Sequence, residues 1–150
     1  MMNKYLIVLV ALLPLAFGDV VPVKECKAGP LPISVDIQGC KQPPCDLKRG
    51  EDVVAFVDFS ASDEVAKLRP VVYATALGLT VPFAMPPDRQ DACEWLEGSK
   101  CPLSSGEDVR YELRLPVEKS YPAISVEVEL SLVDQDDRIV SCFRVQGKVV

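Results

Sequence analysis

The side chains of this chain best equipped for covalent chemistry are its six cysteines, at positions 26, 40, 45, 93, 101 and 142. A cysteine acts as nucleophile or metal ligand only as a free thiolate. An even number of cysteines behind an apolar leader points instead to three disulfides formed in an oxidising compartment. The chain contains no histidine, which excludes the Ser–His and Cys–His pairs that activate nucleophiles. Without histidine or a CxxC pair, a zinc site has no ligand set to build on. A phosphate-cradling GxxxxGK[ST] loop is also missing. The densest carboxylate cluster, Asp134, Asp136 and Asp137 beside Arg138, reads as a solvated turn rather than as a glycosidase-type acid pair. The expectation is therefore no catalytic residue, no metal and no enzyme.

Non-covalent chemistry is better represented. The stretch Leu79-Thr80-Val81-Pro82-Phe83-Ala84-Met85-Pro86-Pro87 is apolar, rich in proline and runs toward Cys93. A second stretch, Leu115-Pro116-Val117-Glu118-Lys119-Ser120-Tyr121-Pro122, places Tyr121 before a proline, which favours an extended backbone there. Each has two readings. The residues cap an ordinary core, or they line the mouth of an apolar cavity, with loops 81–87 and 116–122 as the portal and Phe83 and Tyr121 as its gate.

The elements that must hold these stretches are strands. Ile33, Val35 and Ile37 alternate with Ser34, Asp36 and Gln38, and Val53, Ala55, Val57 and Phe59 share one face of the next run. A third run, Val71–Leu79, is apolar on both faces; Val109, Tyr111, Leu113 and Leu115 alternate with charges. Ile124, Val126, Val128, Leu130 and Leu132 alternate with Ser and Glu, and a polar turn leads to a last strand whose inner face is Ser141, Phe143, Val145 and Gly147. Period-two patterning in many short segments, with 13 prolines in loops and strand edges, predicts an all-β sandwich or barrel.

Residues 1–18 carry Lys4, an apolar run Leu6–Leu13, and small residues at Ala16 and Gly18, the pattern of a cleaved signal peptide. The run is shorter than the roughly 20 residues a membrane helix needs, so a secreted domain over 19–150 without a membrane anchor is expected. The formal charge of −6 argues against a nucleic-acid partner, whose phosphates call for cationic contacts, and against lasting attachment to anionic membranes. Cys40 with Cys45, and Cys93 with Cys101, bracket short loops and can pair locally; Cys26 and Cys142 then remain for each other, although the count alone chooses no pairing.

Six segments occur in a recognisable order: Cys40-Lys-Gln-Pro-Pro-Cys45-Asp-Leu-Lys-Arg-Gly50, Gly78-Leu-Thr-Val-Pro-Phe83, Cys93…Cys101-Pro102, Leu115-Pro-Val117, Tyr121-Pro122 and Cys142-Phe143. Together they resemble the Niemann–Pick type C2-like proteins of the ML (lipid-recognition) domain family, which include secreted arthropod members. The resemblance implies an immunoglobulin-like β-sandwich of two antiparallel sheets with about seven strands, and the disulfides 26–142, 40–45 and 93–101. It also implies an apolar cavity between the sheets for a sterol, fatty acid or similar semiochemical, with no cofactor. The family's pocket positions fall on Val81, Phe83, Leu115, Val117, Tyr121, Pro122, Val126, Leu130 and Phe143, with Leu47 and Val53 as further candidates. Sterol-binding vertebrate members carry tryptophans where this chain has Leu130 and Phe143, and the single tryptophan, Trp95, lies in the 93–101 loop. Less aromatic bulk gives other lipids more weight.

The implied role is a monomeric secreted carrier that hands its lipid to a membrane acceptor or receptor. The alternatives are a lipid-presenting co-receptor and a sandwich acting only through its surface. No asparagine follows Asn3, so no N-glycan can form on residues 19–150, which favours an extracellular over a lysosomal destination.

Overall fold

The computed structural model describes residues 20–150, and the leader expected over 1–18 lies outside them. Alternating apolar and polar residues become strands β1 (Ser34–Ile37), β2 (Cys45–Leu47), β3 (Asp52–Ser60), β4 (Leu68–Ala76), β5 (Leu79–Phe83), β6 (Leu96–Glu97), β7 (Asp108–Pro116), β8 (Ser125–Asp134) and β9 (Ile139–Val149). They form a four-stranded sheet, β1-β3-β7-β6, facing a five-stranded sheet, β2-β9-β8-β4-β5. The only helical elements among the described residues are two short 3₁₀ turns, Pro87–Arg89 and Ala92–Trp95. No helix of the described residues is long and apolar enough to cross a membrane.

The sandwich is the expected one, with three differences of detail. The strand count is higher because β2 and β6 are edge strands of three and two residues, too short to show periodicity. The five-stranded sheet is not wholly antiparallel, because β2 runs parallel to the end of β9, Cys45 opposite Gly147 and Leu47 opposite Val149. Thirdly, the apolar run 71–79 is not one strand. It breaks at Leu77 and Gly78, whose φ angles of 53° and 77° make a two-residue turn of the kind that matches hairpin twist. Leucine is a poor residue for that conformation, which is why the turn is hard to read from Ala76-Leu77-Gly78-Leu79. The first part of the proline-rich stretch is therefore the edge strand β5. Pro82 is tolerated there because its missing N–H leaves no ladder bond unmade on an edge.

The three disulfides are Cys26–Cys142, Cys40–Cys45 and Cys93–Cys101. The first ties the N-terminal arm to β9. That arm begins beside the four-stranded sheet, where the Val21 N–H donates to the Val35 carbonyl, and then crosses to β9, where Lys24 and Arg144 exchange backbone hydrogen bonds. One open side of the sandwich is thus covered by chain. Ile33, expected on the inner face, is 63 % exposed because it precedes β1 rather than belonging to it.

The core is graded in residue size. At one end it is filled by Phe59, Tyr111, Leu103 and Leu132, all within 1 % of full burial. Toward the other end the inward residues shrink: Ala55 and Val53 on β3, Val128 and Val126 on β8, Val145 and Gly147 on β9. Close packing at native density requires volume to fill the gap between layers, so the small-residue end is where space is left.

Candidate functional site

That space consists of two adjoining voids between the sheets. The outer, of about 90 Å³, is lined by Leu47, Val72, Ala74, Phe83, Leu115, Pro116, Val117, Tyr121, Val126, Val128 and Val149. The inner, of about 30 Å³, reaches Ile37, Val53, Ala55, Leu113, Leu130, Phe143 and Val145. No polar atom faces either void. Unfilled apolar space of this kind stays dry, because water there would lack hydrogen-bond partners.

Nine of the eleven expected site residues meet around these voids. Phe83, Val117, Tyr121 and Val126 line the outer one, Val53, Leu130 and Phe143 the inner one, and Leu47 and Leu115 both. The other two stand outside. Val81 is 54 % exposed on the edge strand β5, and Pro122 is exposed in the loop after Tyr121. Val81 pairs with Ala74, and Phe83 with Val72, so Val81 shares the inner-facing side of the sheet but lies beyond the cover of the opposite sheet. Leu79, 71 % exposed, continues the same face opposite Ala76.

Val72, Ala74, Val128, Val149, Ile37, Ala55, Leu113 and Val145 also line the voids and were not among the expected residues. Their signal was present in strand parity. Val128 lies between Val126 and Leu130 on one face of β8, and Leu113 precedes Leu115 on β7. On a pleated strand, residues two apart face the same way, so naming Val126 and Leu130 already implied Val128.

The mouth is held by backbone. The Gly50 N–H donates to the Val117 carbonyl at 2.6 Å, and the Val117 N–H to the Glu51 carbonyl at 3.0 Å. Arg49 donates from Nη1 to the Tyr121 carbonyl at 3.4 Å. On the far side, Arg89 donates to the Arg114 carbonyl at 3.2 Å and pairs with Asp52 at 3.3 Å, which occupies the edge of β7 left free by the short β6. Desolvation, and secondarily Glu118, push the Tyr121 hydroxyl above its ordinary pKa, so Tyr121 is neutral at physiological pH. The cysteines are all in disulfides, which removes thiolate chemistry. Cys26 and Cys142 lie near Glu129, but their sulfurs are bonded to each other and offer no metal site. The arrangement can exclude water from an apolar guest.

Comparison with known proteins agrees with this fold. Residues 20–149 match the ML domain. The NPC intracellular cholesterol transporter 2 homolog a of Drosophila melanogaster is 35 % identical, over 99 % of each chain. The NPC intracellular cholesterol transporter 2 of Danio rerio is 34 % identical, over 91 % of each. Among solved structures, a Niemann-Pick type C2 protein from the Japanese carpenter ant superposes with a TM-score of 0.69, covering 87 % of this chain and 92 % of that one. At 21 % identity that likeness speaks to the fold. A domain match across almost every described residue, with whole-length relatives above 30 % identity, establishes that this chain belongs to the ML-domain family.

Proposed function

We propose that the protein is a secreted carrier of an apolar lipid, a sterol, fatty acid or similar molecule, which it holds between its two sheets. The observation that carries this reading is the pair of wholly apolar voids leading inward from Phe83, Val117 and Tyr121. The names of the whole-length relatives, cholesterol transporters, support the same class of cargo.

The voids are small for such a cargo. Ligand pockets run to about 300–1,000 Å³, and 90 and 30 Å³ fall well short. Loading therefore requires the sheets to part at the small-residue end, where alanine, valine and glycine leave the least side-chain interlock. Burying roughly 400 Å² of ligand at about 25 cal/mol per Å² yields on the order of 10 kcal/mol. Opening the sheets and immobilising the ligand take back several kcal/mol or more, which leaves micromolar to nanomolar affinity from apolar contact alone. The exposed apolar side chains Leu79 and Val81 continue the Phe83 face of β5 and support transfer to an apolar acceptor, such as a membrane protein or receptor.

Secretion rests on the leader over 1–18 and on three disulfides that need an oxidising compartment. Residues 19–150 then act as one lipid-binding domain, without cofactor and as a monomer. Native mass spectrometry of the secreted protein, followed by organic extraction and lipid identification, tests the reading. A stoichiometric sterol, fatty acid or similar molecule is the expected result. An empty protein that also fails to take up sterol and fatty-acid probes would leave a sandwich acting through its surface.

A further inference from the structure

Three side chains line both voids and so stand between them: Leu47, Leu115 and Val128. They differ in freedom. Val128 is β-branched, which stiffens χ1, and lies mid-strand in β8 with β4 and β9 paired on either side. Leu115 is on β7, paired with Val53 of β3. Leu47 belongs to the three-residue strand β2 at the edge of its sheet, held to β9 over Cys45–Leu47 alone.

Leu47 also sits against an absence of side chain. A Cβ on Gly147 would lie 2.8 Å from Leu47 Cδ1, closer than carbon atoms pack, and 3.1 Å from its Cγ, a tight contact. Gly147 has no positive φ, so no turn or strained backbone calls for glycine there. What its missing Cβ does is give the Leu47 side chain its seat on β9.

We propose that Leu47 is the partition of the cavity and sets how deep a guest can reach, with Gly147 as the recess that holds Leu47 back. The proposal rests on the carrier reading and adds a specificity determinant to it. With Leu47 seated, a short apolar guest fills the outer void between Phe83, Val117 and Tyr121. A long guest reaches Leu130 and Phe143 only by squeezing past Leu47 in its seat.

The geometry predicts a coupling between two residues. Leu47→Ala removes the partition and joins the voids. Gly147→Ala pushes the Leu47 side chain off its seat on β9, toward the guest's space. In a Leu47→Ala background the same Gly147→Ala change meets nothing closer than the Cys45 carbonyl at 3.4 Å, an ordinary contact. The test is displacement of a fluorescent lipid by octanoic and octadecanoic acid from wild type, both single variants and the double variant. Each buried methylene contributes about fourfold in affinity, so joining the voids should tighten the C18 acid by about tenfold and leave the C8 acid within about twofold. Gly147→Ala should weaken the C18 acid by about tenfold alone and by less than about twofold in the double variant, a non-additivity expected only of interacting residues.

Thermal unfolding checks that each variant is folded, and Leu47→Val, which shortens the partition with a smaller void, replaces Leu47→Ala if the latter is not. Leu132→Ala, a fully buried core truncation away from both voids, should lower stability without tightening either acid. Equal effects of Gly147→Ala in both backgrounds, or equal tightening of both acids by Leu47→Ala, would overturn the partition while leaving the carrier intact. A wild-type protein that takes up neither acid nor the fluorescent lipid would remove the carrier reading and the partition with it.

Discussion

Replacing Val117 with aspartate is the sharpest perturbation of the cavity. Val117 is 5 % exposed, lines the outer void, and is pinned by hydrogen bonds on both its N–H and its carbonyl, so its backbone cannot carry a new side chain away to solvent. An ionised carboxylate facing a void without polar atoms costs several kcal/mol, and the easiest escape is protonation. Holding a carboxyl of ordinary pKa, about 3.9, in its neutral form at pH 7 costs about 3 units, or about 4 kcal/mol. Without a guest, water entering at the mouth relieves this charge. With a lipid in place it cannot, so the cost falls on binding and predicts a loss of up to about a thousandfold in affinity at pH 7. The deficit should shrink by about tenfold for each pH unit from 7 toward 4, as protonation becomes free. The contrast is Val81→Asp. Its side chain is 54 % exposed and outside both voids, and surface changes of this kind stay within about 0.5 kcal/mol, or about twofold. Titration of a fluorescent fatty acid or sterol at pH 7, 6 and 5 reads both variants, with thermal unfolding as the folding control. Equal losses at the two positions, or a folded Val117→Asp protein with wild-type affinity or a pH-independent deficit, would refute the placement of the site.

Three further outcomes follow from the fold. Joint replacement of Cys26 and Cys142 by serine opens a closure with a sequence separation of 116 and should cost about 2–5 kcal/mol, read as a fall in the urea midpoint with the other two disulfides intact. Leu77 is 88 % exposed and carries a φ of 53°, so Leu77→Asn, which suits that turn, should stabilise by about 1 kcal/mol and raise Tm by a few degrees; an unchanged or lower Tm would show that the turn is unstrained. Burial, and secondarily Glu112, push the Tyr111 hydroxyl far above its ordinary pKa of 10.0. Above pH 10 the unfolded tyrosine releases a proton that the folded one retains, so stability should fall with rising pH by up to about 1.4 kcal/mol per unit. Below pH 10 Tyr111 adds no slope, and Tyr111→Phe should remove its share of the alkaline loss.

The strands and their inward faces were legible because each rests on local information. Val126, Val128, Leu130 and Leu132 alternate with polar residues, and pleating alone puts them on one face. Cys40 and Cys45 flank a proline turn and Cys93 and Cys101 a short loop, but the full pairing, with Cys26–Cys142 across the domain, was implied only by the family resemblance. The segments Gly78–Phe83, Leu115–Val117 and Tyr121-Pro122 helped carry the family resemblance, and with it came nine of the residues that line the voids.

Other features were decided only in three dimensions. Whether an inward apolar residue touches a neighbour or an empty space depends on how far apart the sheets stand, and no single strand encodes that distance. Val81 and Phe83 look equivalent along the chain, yet the opposite sheet covers Phe83 and leaves Val81 in water. The β4–β5 turn stayed hidden because Leu77 breaks the usual turn chemistry, and β2 because three residues show no period. Leu47 gained its central place only when β2 was laid against Gly147, across a gap of a hundred residues. Local alternation determined which side chains point inward; the meeting of the two sheets decided which of them enclose space.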